Sequence, residues 1–366
     1  MRPHADTLLT ALLTTALVTV LAVLGVQAAH SAPPDETTSL QAQFDRLRPG
    51  DTLRLERRTY FHHGVLRITV PGVRIVGNGA TLAATHAPTS AVQIEAPGVA
   101  VSEVTLTAPT DGPRHTGLDQ HKLVVGGDGV SVTDVTVDGS AAAGVFVDGV
   151  TDFRLTRVTV RDTLADGIHM TDGASNGTLD HPRTERTGDD GVAVVSYGTD
   201  RPCAGITITA PVVEGTRWGR GIAVVGGRDV SVRDIMVSRT SGAGVYIASE
   251  GAPYYTDSVA GIHVAGGTVT GANTDPAVVH GAVLVYSGHA GHSVRDVSIS
   301  DLTIAGTPPS AQRNVGVLAG PGSVDGIDLD RITLQSSDIR LLMVDAPAGS
   351  VQISDFTVDG RPVDVG

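Results

Sequence analysis

The chain has 366 residues, 41% hydrophobic, 18% charged and 3% aromatic, with a formal net charge of −13. That charge argues against nucleic acid or an anionic membrane surface as a partner, and it disfavours a strongly anionic polysaccharide. Cys203 is the single cysteine, so no internal disulfide forms and the fold must hold by packing and backbone ladders.

At the start of the chain, Arg2 precedes an apolar run from Leu8 to Val26, and small residues follow at Ala28, Ala29, Ser31 and Ala32. This reads as a secretory signal peptide over residues 1–32, cut near Ala29 to Ala32, and so predicts an extracellular protein. The rival is an uncleaved anchor, since the run is nearly long enough to span a bilayer. Small residues at the cleavage position favour removal, and no later segment is long and apolar enough to cross. Residues 33–366 are then expected as one domain, because all-β folds of this length occur as single units.

Leu40, Phe44 and Leu47 share one face of a helix predicted over Thr38 to Leu47, with Gly50 ending the segment. From Asp51 onward the signals are those of strands, as in Val130-Ser131-Val132-Thr133 and Val158-Thr159-Val160, broken at short intervals by Gly, Asn and Asp. Six segments read alike, each a Gly followed by a strand-like triplet, at Gly144, Gly167, Gly191, Gly221, Gly244 and Gly281. Their steps are 23, 24, 30, 23 and 37 residues. A second series enters similar stretches at Val130, Phe153, Gly177, Ile206, Val230, Ile262, Val294 and Ile327. Such a unit is too short for a propeller blade, which needs about 40 residues. A parallel β-helix fits, with each coil covering its neighbour and the Thr38 to Leu47 helix capping the first rung.

The residues before the six glycines form one column: Ala143, Asp166, Asp190, Arg220, Ala243, His280. Parallel rungs are about 4.8 Å apart, so Asp166 and Asp190 should be neighbours, with Asp189 beside them. Three carboxylates this close cannot all ionise freely, so one keeps its proton near neutral pH. The site then holds both an acid and a base, as glycosidic hydrolysis requires. Arg220 would hold substrate or a carboxylate, and His169, three residues after Asp166, would be an accessory. The long steps place inserted loops around Ser196 to Ala204 and Ser249 to Ser258, walling a groove. Tyr197, Trp218, Tyr246, Tyr254 and Tyr255 are five of the seven Tyr and Trp residues, and aromatic faces there suit sugar rings. Against this stands the ordinary use of Asp-Gly as a turn, since the pair occurs nine times. Lys122 is the one lysine, against 25 arginines.

Asp166-Gly167-Ile168, Gly188-Asp189-Asp190 and Gly219-Arg220-Gly221 together resemble the motif series of the polygalacturonases, glycoside hydrolase family twenty-eight. The stretch Gly50 to Leu82, with Val73 to Ala80 inside it, is similar to the opening of pectin-lyase-type folds. The resemblance implies an all-β, single-stranded right-handed parallel β-helix. It implies Asp189 as general acid and Asp166 with Asp190 as the pair that activates water for inversion. Leu164-Ala165 stands where that family has Asn-Thr, Arg220 where it has His, and its Arg-Ile-Lys motif has no counterpart. Those missing cations recognise a uronate carboxylate, so a neutral or differently charged glycan is expected, with no cofactor. A lyase or uronate epimerase is the alternative, with the aspartates holding Ca²⁺ and Arg220 as base. A non-catalytic glycan-binding β-helix is the third reading.

Overall fold

The computed structural model describes residues 33–198 and 201–365. The predicted signal peptide lies outside them. Among the described residues no helix is long and apolar enough to cross a membrane.

The described chain winds into a parallel β-helix with three faces. One face is an 11-stranded sheet running from Leu66–Ile68 through Val145–Asp148, Ile168–Thr171, Val192–Val195, Ile222–Val225, Val245–Ser249 and Val283–Ser287 to Arg340–Asp345. The other two faces merge into a 20-stranded sheet, because strands such as Gly227–Ser238 and Val259–Thr270 run on around the corner between them. Among the described residues strand pairing is parallel except for the closing hairpin of Thr357–Val358 with Arg361–Pro362, and one isolated antiparallel bridge joins Tyr197 to Thr256 in the loops.

Alternation along each strand builds the core. Val132, Leu155, Leu179, Ile208, Val232, Val264, Ile299 and Leu329 stack in one inward column, all buried. At the corner that follows, Asp134, Arg157, His181, Ala210 and Asp234 repeat one left-handed conformation, with φ between 49° and 57°. The capping helix is Thr37–Asp45, and it buries Leu40 and Phe44 as expected. It ends before Leu47, which still packs against the core.

The register of the 11-stranded sheet follows the glycine repeat through Val145, Ile168, Val192, Ile222 and Val245. It then slips. Val245 pairs with Val283, so Gly281 stands opposite Ala243, and His280 falls one position outside the expected column. The cause is an extra residue: Gly281 has φ +85°, and the N–H groups of Gly244 and Val245 both donate to the Ala282 carbonyl. In the second series Val297, not Val294, pairs with Ile262. Both expected loops are present. The Gly244-to-Gly281 step holds a further one, residues 271–282, where the previous coil has the shorter turn 239–244.

Candidate active site

On the 11-stranded face, residues that alternate outward should meet water, yet Ala193, Ala223 and Tyr246 are buried. They form a small separate apolar cluster with Val195, Val225, Ala243, Ala248 and Leu284. Loops cover this face and leave a cavity of about 500 Å³ over it. Asp166, Asp189 and Asp190 line its floor.

The turns that carry these aspartates are held from beneath by a column of buried hydroxyls. Ser140 Oγ donates to the Ala143 carbonyl, Thr163 Oγ1 to Ala165, Thr187 Oγ1 to Asp189, Thr216 Oγ1 to Gly219 and Thr240 Oγ1 to Gly242, each at 2.6–2.8 Å. The turns also pack too closely for side chains at some positions. A Cβ on Gly219 would lie 2.4 Å from the backbone of Asp189 and Asp190. The glycines of the Gly-Asp-Asp and Gly-Arg-Gly motifs are therefore required by contact between coils.

One oxygen from each of the three carboxylates lies within 4.8 Å of the other two. Asp166 is fully engaged: Oδ1 accepts the Asp190 N–H at 2.9 Å, and Oδ2 is 2.7 Å from His169 Nδ1. Burial alone would raise its pKa, but the His169 hydrogen bond and charge, the Arg114 charge and the Asp190 N–H outweigh it and hold the carboxyl below its usual value. Asp189 is raised, by burial first and by the Asp166 charge second, against the pull of Arg114. Its Oδ2 accepts from Arg114 Nη1 at 2.7 Å, while its Oδ1 is buried with no hydrogen-bond partner. Asp190 is raised well above the usual value by burial, with Arg220 opposing and the other two aspartates adding. Its Oδ1 accepts the Arg220 N–H at 2.6 Å.

Arg220 lies beside this cluster with most of its side chain covered. Its Nη2 bonds Glu250 at 3.0 Å, its Nε lies 3.4 Å from Asp190 Oδ1, and its Cζ sits 4.4 Å from the centre of the Tyr246 ring. Asp190 and Glu250 hold it charged in spite of burial. His169 lines the cavity and stacks on Phe146, which stacks on His121. His121 accepts the Ala143 N–H, and burial, with the His169 and Arg114 charges, drops its pKa to about 4, so it is neutral at physiological pH.

Tyr197, Trp218 and Tyr254 line the cavity with large exposed surfaces. Tyr246 and Tyr255 are placed differently from the expectation. Tyr246 is 3% exposed and lies under Arg220, so its ring is closed to a sugar. Tyr255 turns to His289 and is outside the cavity lining. His280 stacks on Tyr246 from the shifted register, also outside the lining. Lys122 is fully buried away from the cavity, bonded to His62 and to the Ser90 carbonyl. Sequence reasoning missed Arg114, His121, Phe146 and Glu250. Phe146 had a signal, since it is paired with His169 in the repeat; the others sit in loops with no period.

A family model described as a right-handed β-helix region matches residues 121–307, more than half of the chain. The chain belongs to the right-handed β-helix family. No curated protein matches it by sequence. Among solved right-handed β-helices it is similar to the catalytic domain of a GH87 α-1,3-glucanase in complex with nigerose, at 17% identity and a TM-score of 0.68, over 92% of this chain and 67% of that one. A GH87 α-1,3-glucanase from Streptomyces thermodiastaticus superposes at 17% identity and a TM-score of 0.61, over 90% and 66% of the two chains. The A-module of a mannuronan C-5 epimerase from Azotobacter vinelandii does so at 14% identity and 0.60, over 90% and 96%. These likenesses establish the β-helix fold. Other structures of the glucanase domain carry alanine in place of three aspartates, which are 23 and 1 positions apart in that chain. Asp166, Asp189 and Asp190 have the same separations.

Proposed function

We propose that this protein is an exported glycoside hydrolase that cuts a neutral polysaccharide with inversion. Asp189 gives its proton to the glycosidic oxygen as the bond to the anomeric carbon breaks. The ionised member of the Asp166–Asp190 pair, Asp166 in the resting site, takes a proton from the water whose oxygen joins that carbon. The observation that carries this reading is the separation of proton affinities within one cavity. Asp166 is held ionised while burial and like charge keep Asp189 and Asp190 high. The shared aspartate spacing with the α-1,3-glucanase supports it and makes α-1,3-glucan the first substrate to try.

Charge supports a neutral substrate. Arg114 and Arg220, the two guanidinium groups lining the cavity, are both already paired with carboxylates. Their charges are thus already offset by the protein's own carboxylates, which weakens their pull on a uronate. The exposed Tyr197, Trp218 and Tyr254 offer apolar faces instead. Inversion rests on the resemblance to the polygalacturonase motifs and on having two carboxylates to share one water. The oxygen separations by themselves lie nearer the roughly 5–5.5 Å of retaining pairs, so the product anomer decides.

A calcium-dependent lyase or epimerase is the second reading, favoured by three clustered carboxylate oxygens. Arg220 argues against it. Pinned between Asp190 and Glu250 and held charged by them, it is unsuited to abstracting a proton.

The test is product mass and anomer after incubation with α-1,3-glucan, other neutral glucans, polygalacturonate and alginate, with and without chelator, beside Asp189→Asn. Water-added fragments of inverted anomer, lost in the variant and indifferent to chelator, are expected. A retained anomer would make Asp166 or Asp190 a nucleophile. Unsaturated, calcium-dependent products would establish the lyase. Binding without cleavage would establish a glycan-binding protein.

A further inference from the structure

Glu250 opens the inserted loop that follows the strand Val245–Ser249, and nothing in the repeat marks it. Its backbone N–H donates to Thr256 Oγ1 at 2.7 Å. That loop is tied in turn to the other inserted loop, through the Gly198 N–H to the Tyr255 carbonyl and the Asp257 N–H to the Ser196 carbonyl, both at 2.9 Å. Glu250 is therefore held at both ends, its backbone by the tied loops and its carboxylate by two donors. Its Oε1 accepts from Arg220 Nη2 at 3.0 Å and from the Tyr246 hydroxyl at 2.9 Å.

The consequence falls on Arg220. A buried guanidinium beside one carboxylate would ordinarily close on it in a two-bond fork, the strongest arrangement open to it. Here it does not. Arg220 Nε stops 3.4 Å from Asp190 Oδ1, too poorly aligned to bond, and its N–H is buried without an acceptor. Leaving that donor unmet is unfavourable, so something must hold the group back. The Nη2 bond to Glu250 and the Tyr246 ring beneath are the contacts that do so. The groups facing Arg220 are Asp190, Asp189, Glu250, Tyr246 and His280.

We propose that Glu250 is a positioning residue that holds the Arg220 guanidinium off Asp190, leaving Asp190 free to exchange a proton during catalysis. This rests on the hydrolase reading for its effect on rate, but its geometric part stands apart from any substrate. Without the Glu250 charge, Arg220 swings onto Asp190, closes the fork and locks that carboxylate ionised and bonded.

Crystal structures of Glu250→Gln and of the milder Tyr246→Phe test the geometry. The Arg220 Nε to Asp190 Oδ1 separation is expected to close to hydrogen-bond length in the first and to shorten in the second. An unchanged 3.4 Å separation in Glu250→Gln would overturn the proposal, whatever the protein acts on. Kinetics on α-1,3-glucan supply the second arm. Glu250→Gln should lower kcat roughly 10- to 100-fold with KM little changed. In an Arg220→Gln background the same substitution should have no further effect, because it acts through that guanidinium. Additive losses would mean a role independent of Arg220 and would also overturn it. A wild-type protein that cleaves no glycan would sink the hydrolase reading, and the crystal structures would still decide whether Glu250 restrains Arg220.

Discussion

Arg114 and Asp189, 75 residues apart in sequence, are joined by a 2.7 Å hydrogen bond from Nη1 to Oδ2. The bond favours the ionised carboxylate, against the burial and the Asp166 charge that raise its pKa. Arg114→Gln removes that pull, and the Asp189 pKa rises further. An acid with a higher pKa keeps its proton to higher pH. The alkaline limb of kcat/KM should therefore move up in pH in the variant. A limb that stays in place would remove Asp189 from the role of acid.

Thr187 tests how the site is held. Its buried hydroxyl donates to the Asp189 carbonyl at 2.7 Å. Thr187→Val leaves that carbonyl unmet and should lose about 1–3 kcal/mol in urea unfolding, together with a fall in kcat as Asp189 shifts. Thr240→Val breaks the same bond in a turn without a carboxylate, to Gly242. It should lose similar stability with a smaller fall in rate.

Trp218 and Tyr246 separate sugar contact from packing. Trp218 lines the cavity and is 52% exposed. Trp218→Ala should leave thermal stability nearly unchanged and raise KM about fivefold, the equivalent of ~1 kcal/mol of binding. Tyr246→Ala, at a buried position, should instead destabilise by about 3 kcal/mol. The reverse pattern would mean that Tyr246 is reached by substrate.

Lys122 gives a stability signature independent of function. Burial lowers its pKa to about 7, against an unfolded value near 10.4. Below pH 7 both states are charged and the burial penalty is full. Between about 7 and 10.4 the unfolded chain binds the extra proton, so stability rises with pH, with a slope that approaches about 1.4 kcal/mol per unit. Lys122→Met should flatten that rise. Urea midpoints of both proteins at pH 6, 8 and 10 give the difference directly.

The coil was legible because it is periodic. Each strand must put Val, Ile or Leu inward at a fixed step, so the repeat around Gly144, Gly167 and Gly191 also gave the column that brings Asp166 beside Asp190. Periodicity failed where one residue was added without changing the local pattern, at Gly281, and His280 was misassigned for that reason. It is silent about loops. Arg114 and Glu250 reach the aspartate cluster from segments whose path is set by tertiary contacts rather than by any recurrence in sequence. Tyr246 was misjudged because alternation gives the face of a side chain but not what covers it, and here Arg220 does.

The stacked rungs make position along the groove discrete. Gain or loss of one whole coil would slide a wall past the aspartates by about 4.8 Å and leave their mutual geometry intact. A single residue added within a strand would turn every later side chain in it to the opposite face and send an outward group into the core. Descendants of this chain can therefore lengthen or shorten the cleft in whole-rung increments and reshape its rim through the inserted loops. The carboxylate spacing is fixed by the backbone ladder and changes least.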